Sequence, residues 1–325
     1  MIEYLKKHLR ENTEYGKSRY LNFLCRYDMK RFFKYSSMNH NTSKEQKEIT
    51  IRLLVHSIEK ALSLPNVRHG FGQDKIKQLL EEYKMYSALT NCDKDSEIDR
   101  LVHDTVHAYV SFQLQKDQNF DISFIPEKEL TAQITDTVGV LNSDAHDFSD
   151  LSFFDFAKSR HSLRYFGNED VSEEDIHRVI ELAQTAPSAC NRQPVQVFAC
   201  VNDDLIEKIM EMHGGLRGFG QPKAVFAVTG SLNSYTSEYE RNIVFVDGGI
   251  FVMNLLYSLH FYGFAACPII WGMEPDNDKR LYHLLSIPDS DTVVALIVAG
   301  NYPIGTYRYA KSLRKSTDKI LHIVK

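Results

Sequence analysis

The sequence predicts a chain of two unlike parts: an all-α N-terminal domain over residues 1–117 and a layered domain of helices and strands over 151–325. Three observations predict it. Apolar residues recur at helical spacing through the first part, with no clear strand signal between them. From Phe153 onward helical segments alternate with short β-branched runs, the pattern of an α/β or α+β layer architecture. Residues 118–150 lose the periodicity and read as a linker, or as a segment wrapped over another surface or a partner subunit.

In the first part, Ser43-x-x-Gln46 has capping-box form and precedes Ile49, Leu53, Leu54, Ile58 and Leu62, a helical stripe that stops before Pro65. Ile76, Leu79, Leu80 and Tyr83 mark a second helix after Gln73. A third follows Ser96, with Ile98, Leu101, Val102, Val106 and Tyr109 on its apolar face. In the second part, Ser172-x-x-Asp175 caps a helix faced by Ile176, Val179, Ile180 and Ala183 and ended by Pro187. Val195–Val201 reads as a strand, and Leu205, Ile209 and Met210 mark a helix closed by Gly214. Ala224–Thr229 and Thr292–Ala299 are apolar, β-branched runs of the kind buried on both sheet faces. Ile250–Trp271 is almost wholly apolar and about long enough for a bilayer, yet Gly263 and Pro268 interrupt it. It reads as a buried helix over 247–262 followed by a buried strand, with no membrane span.

With 325 residues, 43% of them hydrophobic, the chain can build a substantial core. A net charge of −5 gives no general attraction to nucleic acid. The five cysteines (Cys25, Cys92, Cys190, Cys200 and Cys267) include no C-x-x-C pair, which fits a reducing cytoplasm and no disulfide framework or zinc site. The N-terminus lacks the apolar core of a signal peptide.

The residues that bear chemistry gather in the second part. Arg160-His161-Ser162-Leu163-Arg164 sets two guanidiniums and a hydroxyl at alternate positions, so in an extended segment they share one face. Guanidinium groups grip phosphate as a fork. A helix later, Ala186-Pro187-Ser188-Ala189-Cys190-Asn191-Arg192-Gln193-Pro194 packs amides and a hydroxyl between prolines. Asp247-Gly248-Gly249 with Met253-Asn254-Leu255-Leu256 follows, then Gly263-Phe264-Ala265-Ala266-Cys267-Pro268, Ala299-Gly300-Asn301-Tyr302-Pro303 and Lys311-Ser312-Leu313-Arg314.

In this order the set resembles the nitroreductase superfamily of FMN-dependent oxidoreductases, over roughly the last 175 residues. The resemblance implies an α+β domain with a mainly antiparallel sheet flanked by helices, forming a homodimer with FMN at the interface. It implies ping-pong hydride transfer from NADH or NADPH, through flavin N5, to a small organic acceptor such as a nitroaromatic or a quinone. Arg160, Ser162, Lys311, Ser312 and Arg314 are its candidates for the phosphate, and Arg164 for the pyrimidine edge, with His161 inside the same motif. Pro187, Ser188, Asn191 and Gln193 match the loop that reaches the flavin, with Ala189 where serine is frequent. Pro268 has no N–H, so the backbone donor near N5 falls to Ile269 or Ile270, in a region where relatives place a glutamate that this chain lacks. An appended helical domain favours a specialised flavoenzyme acting on one biosynthetic intermediate, and some relatives with such extensions resemble members of surface-polysaccharide clusters. The missing acid leaves a non-catalytic flavin-binding protein as the other reading.

Other residues read as structural. His103 and His107 lie one helical turn apart without the metalloprotease glutamate, and no metal is expected. The glycine-rich stretch 214–220 precedes a strand instead of following one, which defeats a dinucleotide loop. Cys267 sits in an apolar run without a neighbouring cation in sequence, so it reads as an inert thiol. His56-Ser57-Ile58-Glu59-Lys60 and Arg68-His69-Gly70-Phe71-Gly72 read as a helix–loop–helix junction, with a pocket lining as the alternative. The basic residues of the first 35 positions, from Lys6 to Lys34, read as one face of a helix.

Overall fold

The computed structural model describes residues 13–35, 43–90, 97–136, 138–144, 147–214, 216, 218–235 and 238–325. Cys92, Ser96, Gly215, Arg217 and the basic residues Lys6, Lys7 and Arg10 lie outside the described residues. The N-terminal part is helical: α1 (Glu14–Tyr35), α2 (Lys44–Leu62), α3 (Gln73–Thr90), α4 (Glu97–Lys116) and the short α5 (Glu127–Leu130). Helix α2 starts where its capping box dictates. The Gln46 N–H donates to Ser43 Oγ at 3.2 Å, and the Ser43 N–H to Gln46 Oε1 at 3.1 Å. Its buried residues Ile51, Leu54, Val55, Ile58 and Leu62 meet Ile76 and Leu79 of α3 and Leu101, Val102 and Val106 of α4 in one core.

The segment after α4 wraps this core. Ile125 and Val138 are buried in it, His103 Nε2 meets Glu129 at 2.8 Å, and Asp104 accepts both the N–H and the hydroxyl of Thr135 at 2.8 Å. It then forms β1 (Val140–Asp144), which pairs antiparallel with β6 (Thr306–Ala310) near the chain's end. This long-range ribbon ties the two parts together. Arg308 donates to the Leu62 carbonyl at 2.6 Å, and the Lys311 N–H to the Gly139 carbonyl at 3.1 Å.

The C-terminal part runs α6 (Phe153–Ser159), α7 (Glu173–Ala183), β2 (Val195–Cys200), α8 (Asp203–His213), β3 (Ala224–Ser231), α9 (Ile243–Phe261), β4 (Phe264–Ile269), α10 (Pro275–Leu285) and β5 (Asp291–Asn301). The sheet has the order β2-β3-β5-β4 and is antiparallel at every pairing. It is therefore an α+β domain with an antiparallel sheet flanked by helices, and the α/β alternative falls away. Period-2 alternation puts Ala224, Phe226 and Val228 of β3 against α7 and α9, and Val225 and Ala227 against α8 and α10. Both faces are covered, which is why β3 reads as an unbroken apolar run.

Helix α9 is the central packing element. It begins at Ile243, four residues before the expected 247, because Asn242 makes no side-chain cap bond to mark the start. It stops at Tyr262, followed by Gly263 with φ +79°, a left-handed turn that favours glycine. Among the described residues it is the one helix long and apolar enough to cross a membrane, and it packs on the sheet instead. Its close approach needs two glycines: a Cβ on Gly230 would meet Val244 Cγ2 at 2.5 Å, and one on Gly248 would meet Val294 Cγ2 at 2.5 Å. Gly248→Val should therefore destabilise the fold by about 1–3 kcal/mol in urea unfolding, the range for overpacking; unchanged stability would refute this packing account.

Candidate functional site

The arginine-rich stretch emerges from α6 as an extended segment alongside β4. Ser162 bridges in parallel to Ala266, and the Leu163 N–H donates to the Ala266 carbonyl at 3.1 Å. Leu163 turns into the core, 2% exposed, and leaves Arg160, Ser162 and Arg164 to line a cavity of about 380 Å³. Ser312 and Arg314 approach from the chain's end, Arg52, Val55, His56 and Glu59 of α2 form another wall, and His161 also lines the space. Residues distant in sequence thus meet at the junction of the two parts.

The charge in this cavity is unbalanced. Arg160, Arg164 and Arg314 form no ion pair among the described residues, and Glu59 is the one carboxylate in the lining. Arg164 is only 7% exposed, its Nε has no hydrogen-bond partner, and Nη1 reaches the Ser162 carbonyl only at 3.4 Å. A buried cation left this way is costly unless something else compensates it. Burial, and then the positive charge of Arg314, hold Arg160 below the usual arginine value. Burial, followed by Arg160 and Arg314, pushes His161 down to about 4, so its ring is neutral at pH 7 and stacks on Tyr309 with centroids 3.7 Å apart. Burial raises the Cys267 thiol, against the opposing pull of Arg164 and the Ser162 hydroxyl, so it remains a thiol.

These features fit an anionic cofactor such as FMN. Three converging guanidiniums and the Ser162 and Ser312 hydroxyls suit a phosphate and an electron-rich ring edge. Lys311 stands apart, because its ammonium meets Asp136 Oδ1 at 2.8 Å and does not line the cavity. Ser312, with φ +50°, turns the chain so that Arg314 does.

The amide-rich loop forms a second place. Pro187, Ser188 and Gln193 line a separate cavity of about 310 Å³ with Gln196, Asp247 and Phe251. Cys190, Asn191 and Gln193 all have left-handed φ near +50°, a strained backbone for non-glycine residues. Asp247 Oδ1 accepts the Ala189 N–H at 2.9 Å, and Ser188 Oγ accepts the Gln193 N–H at 2.9 Å. Asn254 donates to the Ala183 carbonyl at 3.0 Å and to Thr185 Oγ1 at 2.9 Å. Asp247 and Asn254 thus position the loop, a role that their place in the motif did not disclose. Ile269 ends β4 and is buried, whereas Ile270 is 84% exposed, with His213 Nε2 2.9 Å from its carbonyl; neither lines the arginine cavity.

His56 and Glu59, which the sequence reads as a helix–loop–helix junction with a pocket lining as the alternative, stand in the cavity wall. The available signal was their spacing with Arg52 and Val55, i, i+3, i+4 and i+7, which puts all four on one helix face.

Residues 157–214 match the nitroreductase family model. A protein of Archaeoglobus fulgidus, provisionally named NADH dehydrogenase/NAD(P)H nitroreductase, is 28% identical over 150 residues, 45% of this chain and 82% of its own. An FMN reductase (NAD(P)H) of Bacillus subtilis is 27% identical over 176 residues, 50% of this chain and 69% of its own. A nitroreductase-like protein of Streptococcus mutans of known structure is 20% identical, with a TM-score of 0.45, covering 53% of this chain and 98% of its own.

Two outcomes follow from the cavity's electrostatics. Because His161 is depressed in the fold, the unfolded chain binds its proton more tightly below pH 6.5. His161 therefore contributes stability that is full above pH 6.5 and lost as the pH falls towards about 4, and His161→Phe should flatten that part of a stability–pH curve. Arg164→Met should leave the flavin-free protein as stable or raise its melting temperature, because it removes an unpaired buried charge. A large fall in melting temperature would show that Arg164 has a structural partner.

Proposed function

We propose that the chain is an FMN-dependent oxidoreductase that takes hydride from NADH or NADPH and passes it, in ping-pong order, to a small organic acceptor of the nitroaromatic or quinone kind. The observation that carries this reading is Arg164, buried with its Nε unsatisfied and no carboxylate partner among the described residues, in a cavity that also holds Arg160 and Arg314. The match of residues 157–214 to the nitroreductase family model and the names of the relatives support it.

FMN, when bound, supplies a ring that accepts and returns hydride at N5. Arg160, Ser312 and Arg314 would hold its phosphate by charge-assisted hydrogen bonds. Arg164 would supply a fixed positive charge to the pyrimidine edge, and the Ser162 hydroxyl a further hydrogen bond. Lys311 contributes no direct contact while Asp136 holds it. The backbone N–H of Ile269 or Ile270, just past the buried end of β4, is the donor assigned to N5. The Cys267 thiol stays protonated and takes no part in redox exchange.

The site is completed by a second copy. Pro187, Ser188, Asn191 and Gln193 stand away from the arginine cavity in one chain, and the loop from a partner chain covers the ring. Helix α9 offers the interface: Phe245, Val246, Ile250 and Met253 are 38–54% exposed on an apolar helix beside that loop. A second reading, a flavoenzyme acting on one biosynthetic intermediate, is favoured by α2, because it walls the cavity with the appended domain.

Purified protein should be yellow and dimeric, and stopped-flow mixing with NADPH or NADH should bleach the flavin. No bleaching by either nicotinamide would leave a flavin-binding protein without turnover. Arg164→Ala should weaken FMN binding about 10- to 100-fold, the worth of a lost charge-assisted contact, and a wild-type flavin content and spectrum would remove its role. Ile250→Glu should split the dimer in sedimentation and release flavin with it.

A further inference from the structure

The appended domain does more than sit beside the cavity. Helix α2 lies along its length: Glu48 near the start of the helix pairs with Lys315 at 3.1 Å, beside Arg314, and Lys60 near its end lies in the electrostatic field of Arg164. Exposure sets the depth. Arg164 forms the floor at 7% exposed, and Arg314 is exposed at the mouth.

The polar side chains that α2 presents here differ in what they have left to give. Arg52 is committed to Glu48 at 3.3 Å and to Glu97. Glu59 has a buried side chain and accepts the Gly139 N–H at 3.2 Å. His56 has a side chain 46% exposed, which places it at the mouth, with Nδ1 turned to Glu59 Oε2 at 3.7 Å. Its Nε2 has no hydrogen-bond partner among the described residues and borders a cavity whose other donors are guanidiniums and the Ser162 and Ser312 hydroxyls.

Resting on the FMN reading, we propose that His56, oriented by Glu59, is a phosphate ligand supplied by the N-terminal domain. Helix α2 closes the phosphate end of the site, so FMN is held as a resident cofactor instead of exchanging as a free flavin substrate. The positive groups facing His56 across the cavity are Arg160, Arg164 and Arg314, with Arg52 one turn earlier on α2 and Glu59 as the acidic neighbour. A dianionic phosphate between them supplies the acceptor that Nε2 lacks and offsets the repulsion among the cations.

The test uses the full chain stripped of flavin, titrated with FMN and with riboflavin, which lacks the phosphate, while flavin fluorescence is followed. His56→Ala is expected to weaken FMN about tenfold and speed its dissociation to match, with riboflavin affinity unchanged, and His56→Arg should keep FMN near the wild-type level. His56 is half exposed, so the substitution should leave the melting temperature of the flavin-free chain unaltered. Wild-type FMN affinity and dissociation in His56→Ala overturn the proposal, and so does an equal loss of FMN and riboflavin. A wild-type chain that binds neither flavin overturns the FMN reading itself, a result distinct from either of these.

Discussion

The cavity between the two parts of this protein depends on one electrostatic constraint: guanidinium groups without carboxylate partners, brought together along a gradient from a buried floor to an exposed mouth. Arg164 is the extreme case, nearly buried, with Nε unsatisfied. Proteins rarely leave a buried charge in that condition, because desolvation weighs against it and nothing internal offsets it. Burial and mutual repulsion lower Arg160, and the same forces keep His161 neutral. An anion placed among these groups would offset their mutual repulsion.

The scaffold shows how such a site is held rigid. The antiparallel sheet is covered on both faces, so β4 and the segment from Arg160 to Arg164 that lies along it have little freedom. Gly230 and Gly248 let α9 approach closely, and that approach carries Asp247 to the loop at 188–193. Three left-handed non-glycine residues persist in that loop because Asp247 and the Ser188 hydroxyl fix its amides. Strain of this kind, of order 1–3 kcal/mol per residue, collects where geometry must be set for a ligand.

How much of this the sequence shows depends on the range of the interaction. Ser43 with Gln46 and Ser172 with Asp175 announce helix starts, because a capping box is closed within four residues. The apolar run of β3 discloses a strand buried on both faces, and Gly263 the end of α9. The pairing of β1 with β6 is not legible, since it joins residues more than 160 positions apart through ordinary strand sequences. The arginine motif is legible as an anion site in residue types alone. What it cannot disclose is that His56 and Glu59, about 100 residues earlier, face the same space. Lys311 shows the converse: beside Ser312 and Arg314 it reads as a third phosphate group, yet Asp136 takes its ammonium.

That last contact explains why the appended domain and the site are not separable. Lys311 binds the wrapping segment, its backbone N–H reaches Gly139, and the Gly139 N–H in turn binds Glu59. Arg308 holds the carbonyl at the end of α2, and Lys315 pairs with Glu48 near its start. The stretch that delivers Ser312 and Arg314 to the cavity is thus clamped at several points by the N-terminal part, while the sheet fixes Arg160 and Arg164. A shift of α2 would move one set of cations relative to the other. The helical domain therefore sets the width of the anion site as well as walling it, and the spacing of the guanidiniums is a joint property of both parts of the chain.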